Sequence, residues 1–120
     1  MIYGYRDYND YHDFISYVNN FIIKYGEPDQ IIFGDCIGTD LLAKKYVQEN
    51  KLSYKIFRAD RKTFGKSAGP IRNNEMIKVA THMLAFLSKK SKKTKQVIES
   101  AKKVGLTVDI IKIDFENDSD

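Results

Sequence analysis

The sequence predicts an α/β domain on a mostly parallel sheet of about five strands, because short apolar runs alternate with longer stretches of helical periodicity along the chain. Two further observations agree. Glycines stand where segments change character, at Gly4, Gly26, Gly34, Gly38 and Gly105. The composition, 42% hydrophobic and 30% charged, suits one globular core.

Each element has its own signal. Met1-Ile2-Tyr3 is a very short first strand. From Tyr11 to Tyr25, Phe14, Ile15, Val18, Phe21, Ile22 and Tyr25 recur at helical spacing, and Gly26 ends the helix. Gln30–Phe33 is a buried second strand, closed by Gly34. Thr39–Asn50 is a helix with Leu42, Ala43, Tyr46 and Val47 on one side. Tyr54–Phe57 is a third strand, followed by a polar loop from Asp60 to Ala68. Pro70 opens the next helix at its first position, where a missing N–H costs nothing, and that helix runs to Ala80. His82–Leu87 is the most apolar strand, Lys92–Val104 a helix closed by Gly105, and Val108–Ile113 the last strand. The succession reads as a Rossmann-like three-layer sandwich of strand order 3-2-1-4-5, one domain over residues 1–113 with an acidic tail, 114–120, expected to fray.

Bulk features exclude several classes. A single cysteine, Cys36, rules out an intramolecular disulfide, and with two histidines it makes a structural zinc site improbable, so no metal is expected. No run approaches the roughly 20 apolar residues of a membrane span. Met1-Ile2-Tyr3-Gly4 carries no charged leader before an apolar run, so a cytoplasmic location is expected, or a host cytoplasm if the source is viral. Lys, Asn, Ile and Tyr usage hints at an AT-rich genome. The net charge of +4 is mild but uneven: Lys89, Lys90, Lys92, Lys93, Lys95, Lys102 and Lys103 crowd one segment, which is the solvated face of a helix or a surface that steers anions.

Ligands of open parallel sheets sit beyond the carboxyl ends of the strands, and three segments there look specialised. Gly4-Tyr5-Arg6-Asp7 pairs a glycine with a guanidinium suited to phosphate or carboxylate, or is a plain turn with a surface ion pair. Gly34-Asp35-Cys36-Ile37-Gly38-Thr39-Asp40 offers amide donors at a helix start, where an anion is favoured, and Thr39 adds a hydroxyl. Asp40 is equally placed to cap those amides itself. Phe64–Asn74 imitates the end of a P-loop at Gly65-Lys66-Ser67, but Asp60 stands where the leading glycine belongs. Arg72 lies in the first turn of a helix, where a cation meets the unfavourable end of the dipole and needs an anionic partner. A bound phosphate would serve, and so would Asp7, Asp40 or Asp60. Cys36, without a base supplied nearby in sequence, reads as a packed thiol; His82 reads as core or edge, and His12 as exposed.

Together these blocks resemble a known family. Gly4-x-Arg6-Asp7, Gly34-x-x-x-Gly38-Thr39-Asp40, Ala59-Asp60, Gly65-Lys66 and Ala68-Gly69-Pro70-Ile71-Arg72-Asn73-x-x-Met76 follow, in order and spacing, the YspA-like branch of the SLOG superfamily. The resemblance implies a nucleotide-type ligand: a nucleoside phosphate, ADP-ribose or an NAD derivative. Its ligand-binding residues would be Gly4, Arg6, Asp7, Gly34, Gly38, Thr39, Asp40, Lys66, Gly69, Arg72, Asn73, Ser91 and Thr94. Related phosphoribohydrolases cleave an N-glycosidic bond, others act as nucleotide sensors, and members are often oligomeric. This chain departs from them at Ser88-Lys89-Lys90-Ser91-Lys92-Lys93-Thr94, where lysines replace glycines, and at Val97, where phosphoribohydrolases carry a catalytic Glu. Its first strand is also shorter.

A nucleotide-binding sensor or sequestering domain is therefore the leading expectation, with no other cofactor and no membrane partner. A nucleotide or N-glycoside hydrolase is the second, with Asp7, Asp40 or Asp60 as the carboxylate. Nucleic-acid binding through Lys89–Lys103 is the third and weakest, given the small net charge.

Overall fold

A computed structural model of the chain describes residues 1–114. The elements alternate as expected: β1 (Ile2–Gly4), α1 (Tyr11–Tyr25), β2 (Ile31–Gly34), α2 (Thr39–Glu49), β3 (Tyr54–Phe57), α3 (Arg61–Phe64), α4 (Ala68–Val79), β4 (His82–Leu87), α5 (Lys92–Lys103) and β5 (Thr107–Lys112). Every ladder is parallel. β4 pairs β1 from Ile2↔Leu84 to Gly4↔Phe86, and β5 from His82↔Thr107 to Leu87↔Lys112. β2 pairs β3 from Ile31↔Tyr54 to Gly34↔Phe57.

Three strands therefore form one sheet, β1-β4-β5, and two form another, β2-β3. Among the described residues no ladder joins β1 to β2. β1 is only three residues long, and the two sheets are linked instead where its chain leaves the strand: Thr39 donates to the Tyr5 carbonyl through both its amide, 3.3 Å, and its hydroxyl, 2.8 Å.

Period-two alternation in β4 divides the core. Leu84 and Phe86 face α1 and α2, packing with Phe14, Val18, Phe33, Tyr46 and Val47. Met83 and Ala85 face α4 and α5, packing with Ile77, Ile98 and Ala101. Phe86 is fully buried, with its ring 5.1 Å from Phe14 and 5.2 Å from Tyr8; losing such a side chain to alanine costs about 3–5 kcal/mol.

Two segments depart from the sequence reading. The expected polar loop from Asp60 to Ala68 is helical: α3 begins behind Asp60, whose carboxylate accepts the Thr63 amide at 3.1 Å. A 3-10 turn over Gly65–Ser67 then runs directly into α4, so that helix starts at Ala68 rather than at Pro70. Pro70 still falls in the first turn, where no amide is required. Asp114, assigned to the fraying tail, is instead tied down by Ser88 and Lys89; the rest of that tail, 115–120, lies outside the described residues.

Candidate functional site

The carboxyl ends of the strands gather the β1, β2 and β4 turns and the start of α4. β2 ends at Gly34, and the chain turns through Asp35, Cys36, Ile37 and Gly38 into α2. Gly38 has φ +73°, and a Cβ there would lie 2.1 Å from the Arg6 carbonyl oxygen. Only glycine lets the β2 turn press this closely on the β1 turn. At Gly34 a Cβ would lie 2.8 Å from the Asp40 carboxylate and 3.2 Å from the Arg72 guanidinium. Close approach at Gly4 is to Phe86, not to a ligand surface.

Asp40, 7% exposed, accepts the Cys36 amide at 3.0 Å. Burial raises its pKa to about 6, against the lowering effect of the Cys36 amide, Arg72 and the Gly34 amide. The capping role open to Asp40 in the sequence is thus the one it plays toward Cys36. Among the described residues, the amides of Ile37, Gly38 and Asp40 itself find no protein acceptor.

Arg72 is 5% exposed and engaged through Nε and Nη1. Its Nη1 donates to Asp35 Oδ1 at 2.7 Å and approaches Cys36 Sγ at 3.6 Å. Its Nε donates to Asn73 Oδ1 at 3.1 Å, and Asn73 Nδ2 donates to the Tyr3 hydroxyl at 3.2 Å. Burial pulls the Arg72 pKa down, but Cys36, Asp40 and Asp35 outweigh it, so the guanidinium stays charged. The predicted anionic partner is therefore present: Asp35 makes the direct ion pair, which the sequence reading did not name, Asp40 adds its charge nearby, and the ion pair involves neither Asp7 nor Asp60. Asp35 also accepts the Ala59 amide at 3.3 Å, which ties the β2 turn to the end of β3. Asp60 is occupied as the cap of α3, and Asp7 is exposed on the β1 turn beside the equally exposed Arg6.

The β4 turn is closed upon itself. Ser91 Oγ donates to the Ser88 carbonyl at 3.0 Å and accepts the Ser88 amide at 3.1 Å. Asp114 accepts the Ser88 hydroxyl at 2.5 Å and the Lys89 amide at 2.9 Å, and these donors lower its pKa. Ser91 therefore serves the turn, and Thr94 is buried in α5. Lys66 is exposed on the 3-10 turn, and a Cβ added at Gly69 would meet only Arg72 Nη2, at 4.0 Å. Tyr5 joins the β1 and β4 turns: partial desolvation and a hydrogen bond with Asp7 raise its phenol pKa, while a hydrogen bond with Ser88 lowers it.

A cavity of about 90 Å³ opens beside this cluster. Asp35, Cys36 and Asp40 line it, together with the exposed cations Lys44 and Arg58 and the half-exposed Leu41. It is roomy enough for a phosphate-sized group and smaller than the roughly 300–1,000 Å³ that encloses a whole small ligand. Sequence reasoning missed Asp35, Tyr3, Lys44 and Arg58. Asp35 and Arg58 each stand one position beyond a strand's carboxyl end, and that register was the available signal. No family model, curated protein or solved structure matches this chain, so the site is read from its own geometry.

Proposed function

We propose that the carboxyl edge binds a nucleotide-type ligand, a nucleoside phosphate, ADP-ribose or NAD derivative, as a sensor or sequestering domain of the cell interior. The reading includes the β2-β3 and β1-β4-β5 sheets forming one Rossmann-like order, 3-2-1-4-5, with the ligand beyond the carboxyl ends of the strands, where such sheets place theirs. One observation carries it: the β2 turn and the start of α2, where the Asp40 amide finds no protein acceptor among the described residues, border a phosphate-sized cavity lined also by the exposed cations Lys44 and Arg58. Helix-start amides and flanking cations are the ordinary way a fold receives a phosphate. The sugar and base would extend past Leu41 and Ile37, both about half exposed. Arg72 then works from behind, holding Asp35 and Cys36 in place instead of touching the ligand.

The test follows from exposure. Lys44→Ala with Arg58→Ala changes two exposed side chains and leaves the fold intact, while nucleotide affinity falls at least about tenfold in calorimetric titration, the loss of two charge-assisted contacts. Unchanged affinity, or no binding by AMP, ADP, ADP-ribose and NAD to the unaltered protein, overturns the proposal.

A second reading, hydrolysis of such a ligand, draws on Asp40: a buried carboxyl lining the cavity with a pKa near 6 is suited to general acid–base work. Mass analysis of the incubated nucleotides decides it. Release of a base or ribose phosphate that Asp40→Asn abolishes, with binding retained, supports turnover; recovery of intact nucleotide rejects it.

A further inference from the structure

A second, larger cavity lies at the opposite, amino ends of the strands. It holds about 380 Å³, within the range of small-molecule sites. It opens where β1 and β2 share no ladder. The last two turns of α1 contribute Val18, Phe21, Ile22 and Tyr25, while Ile31, Ile32 and Leu84 form the floor and Ala80 the far wall.

Two properties define what this space suits. The first is an aromatic wall: Phe21 and Tyr25 have ring centroids 4.7 Å apart, Tyr25 and His82 4.9 Å, and Phe21 stands edge-on to His82 at 6.3 Å. The second is charge. Glu27 and Asp29, both exposed, lie in the lining, which contains no lysine or arginine; the Met1 amino group, also in the lining, donates to the His82 carbonyl at 2.9 Å, and burial lowers its pKa to about 5, so it is neutral at pH 7. The neighbouring Lys24, 5.0 Å from the Tyr25 ring centroid, is neutralised by Asp109 at 3.2 Å. The Tyr25 hydroxyl is likewise satisfied by Asp109, at 2.8 Å. An apolar, aromatic-walled space with an acidic rim is complementary to an amphiphile with a positive head, since rings and carboxylates both attract a cation while the walls take the hydrocarbon.

We infer that this amino-end cavity is a second binding site, for an organic cation with an apolar or aromatic body, independent of the carboxyl-edge site. Three probes share one body and differ in head: phenylbutylamine (cation), phenylbutanol (neutral) and phenylbutyrate (anion). Amide-resolved NMR titration of the full chain should show saturable shifts centred on Phe21, Tyr25 and His82. The amine should bind about threefold tighter than the alcohol and about tenfold tighter than the acid, the scale of one partly exposed cation contact. Glu27→Gln with Asp29→Asn should reduce the amine to the affinity of the alcohol. Ala80→Phe, which fills the far wall, should abolish binding of all three; should that variant melt before the titration, Thr81→Phe at the adjacent, exposed lining position takes its place. Equal affinities for the three heads, shifts that do not saturate, or shifts centred on the β2 turn would overturn the inference.

Discussion

The turns after β2 and β4 both carry the chain from a buried strand into a helix with a carboxylate held over the corner, yet they are built in opposite ways. After β2 the corner is glycine-flanked, and its carboxylate, Asp40, comes from the helix it precedes and is buried. After β4 the corner has no glycine, and its carboxylate, Asp114, arrives from beyond β5 and stays partly in solvent. Both accept a backbone amide, from Cys36 and from Lys89. Their pKa values nonetheless move apart, Asp40 up to about 6 and Asp114 below the ordinary carboxyl value. Similar donors give opposite outcomes because desolvation is the largest influence on the buried Asp40, whereas at Asp114 it is outweighed by the Ser88 and Lys89 donors. The β2 corner thus holds a carboxyl whose pKa is raised, and the β4 corner one whose pKa is lowered.

The comparison breaks first at Arg72. Arg72→Ala removes the counter-charge from Asp35 and Asp40 and should cost about 4 kcal/mol, the usual penalty for halving a buried pair. A denaturant midpoint near that of the unaltered protein would show that the β2 corner does not depend on this pair. Next comes Gly38→Ala, where a positive φ and a 2.1 Å approach to the Arg6 carbonyl oxygen combine; about 3 kcal/mol of destabilisation is expected. Lys90→Ala in the β4 corner, an exposed side chain, should stay within about 0.5 kcal/mol in the same unfolding experiment.

The pH profiles sharpen the contrast. The folded pKa of Asp40 lies above its unfolded value, so the folded state binds the extra proton. Its contribution to stability is therefore complete below pH 4 and lost as pH rises through about 6. That loss is on the order of 3 kcal/mol, and Asp40→Asn should flatten it in unfolding curves taken across the interval. Asp114 has the reverse sign: its folded pKa is depressed, so its contribution is present above the ordinary carboxyl pKa and disappears as pH falls through the folded one. Asp114→Ala should cost about 1 kcal/mol from the hydrogen bonds lost at Ser88 and Lys89, and it should leave the slope attributed to Asp40 intact.

Much of this was legible in the chain. The helix Tyr11–Tyr25 emerges with both ends as read, since its apolar period and its terminal glycine act locally. Arg72 was recognisable as a cation in need of a partner from its place at a helix start alone. Its partner was not, because Asp35 lies 37 positions away and is matched to it only when β2 packs beside α4. The helical character of Arg61–Ser67 was hidden for a related reason. Its residues are all exposed, so no apolar period marks it, and the cap at Asp60 is the single local cue.

By itself the sequence determined the five strands and the helices α1, α2, α4 and α5, and that they alternate into parallel ladders, since hydrophobic period and terminating glycines need no distant partner. Only tertiary structure decided what the polar residues at the strand ends do. It gave Thr39 to Tyr5, Asp40 to the Cys36 amide, Asp35 to Arg72 and Asp114 to the β4 turn. Those assignments depend on burial and on atoms brought together from remote positions, and a side chain's hydrogen-bonding capacity does not name its partner until the chain has folded around it.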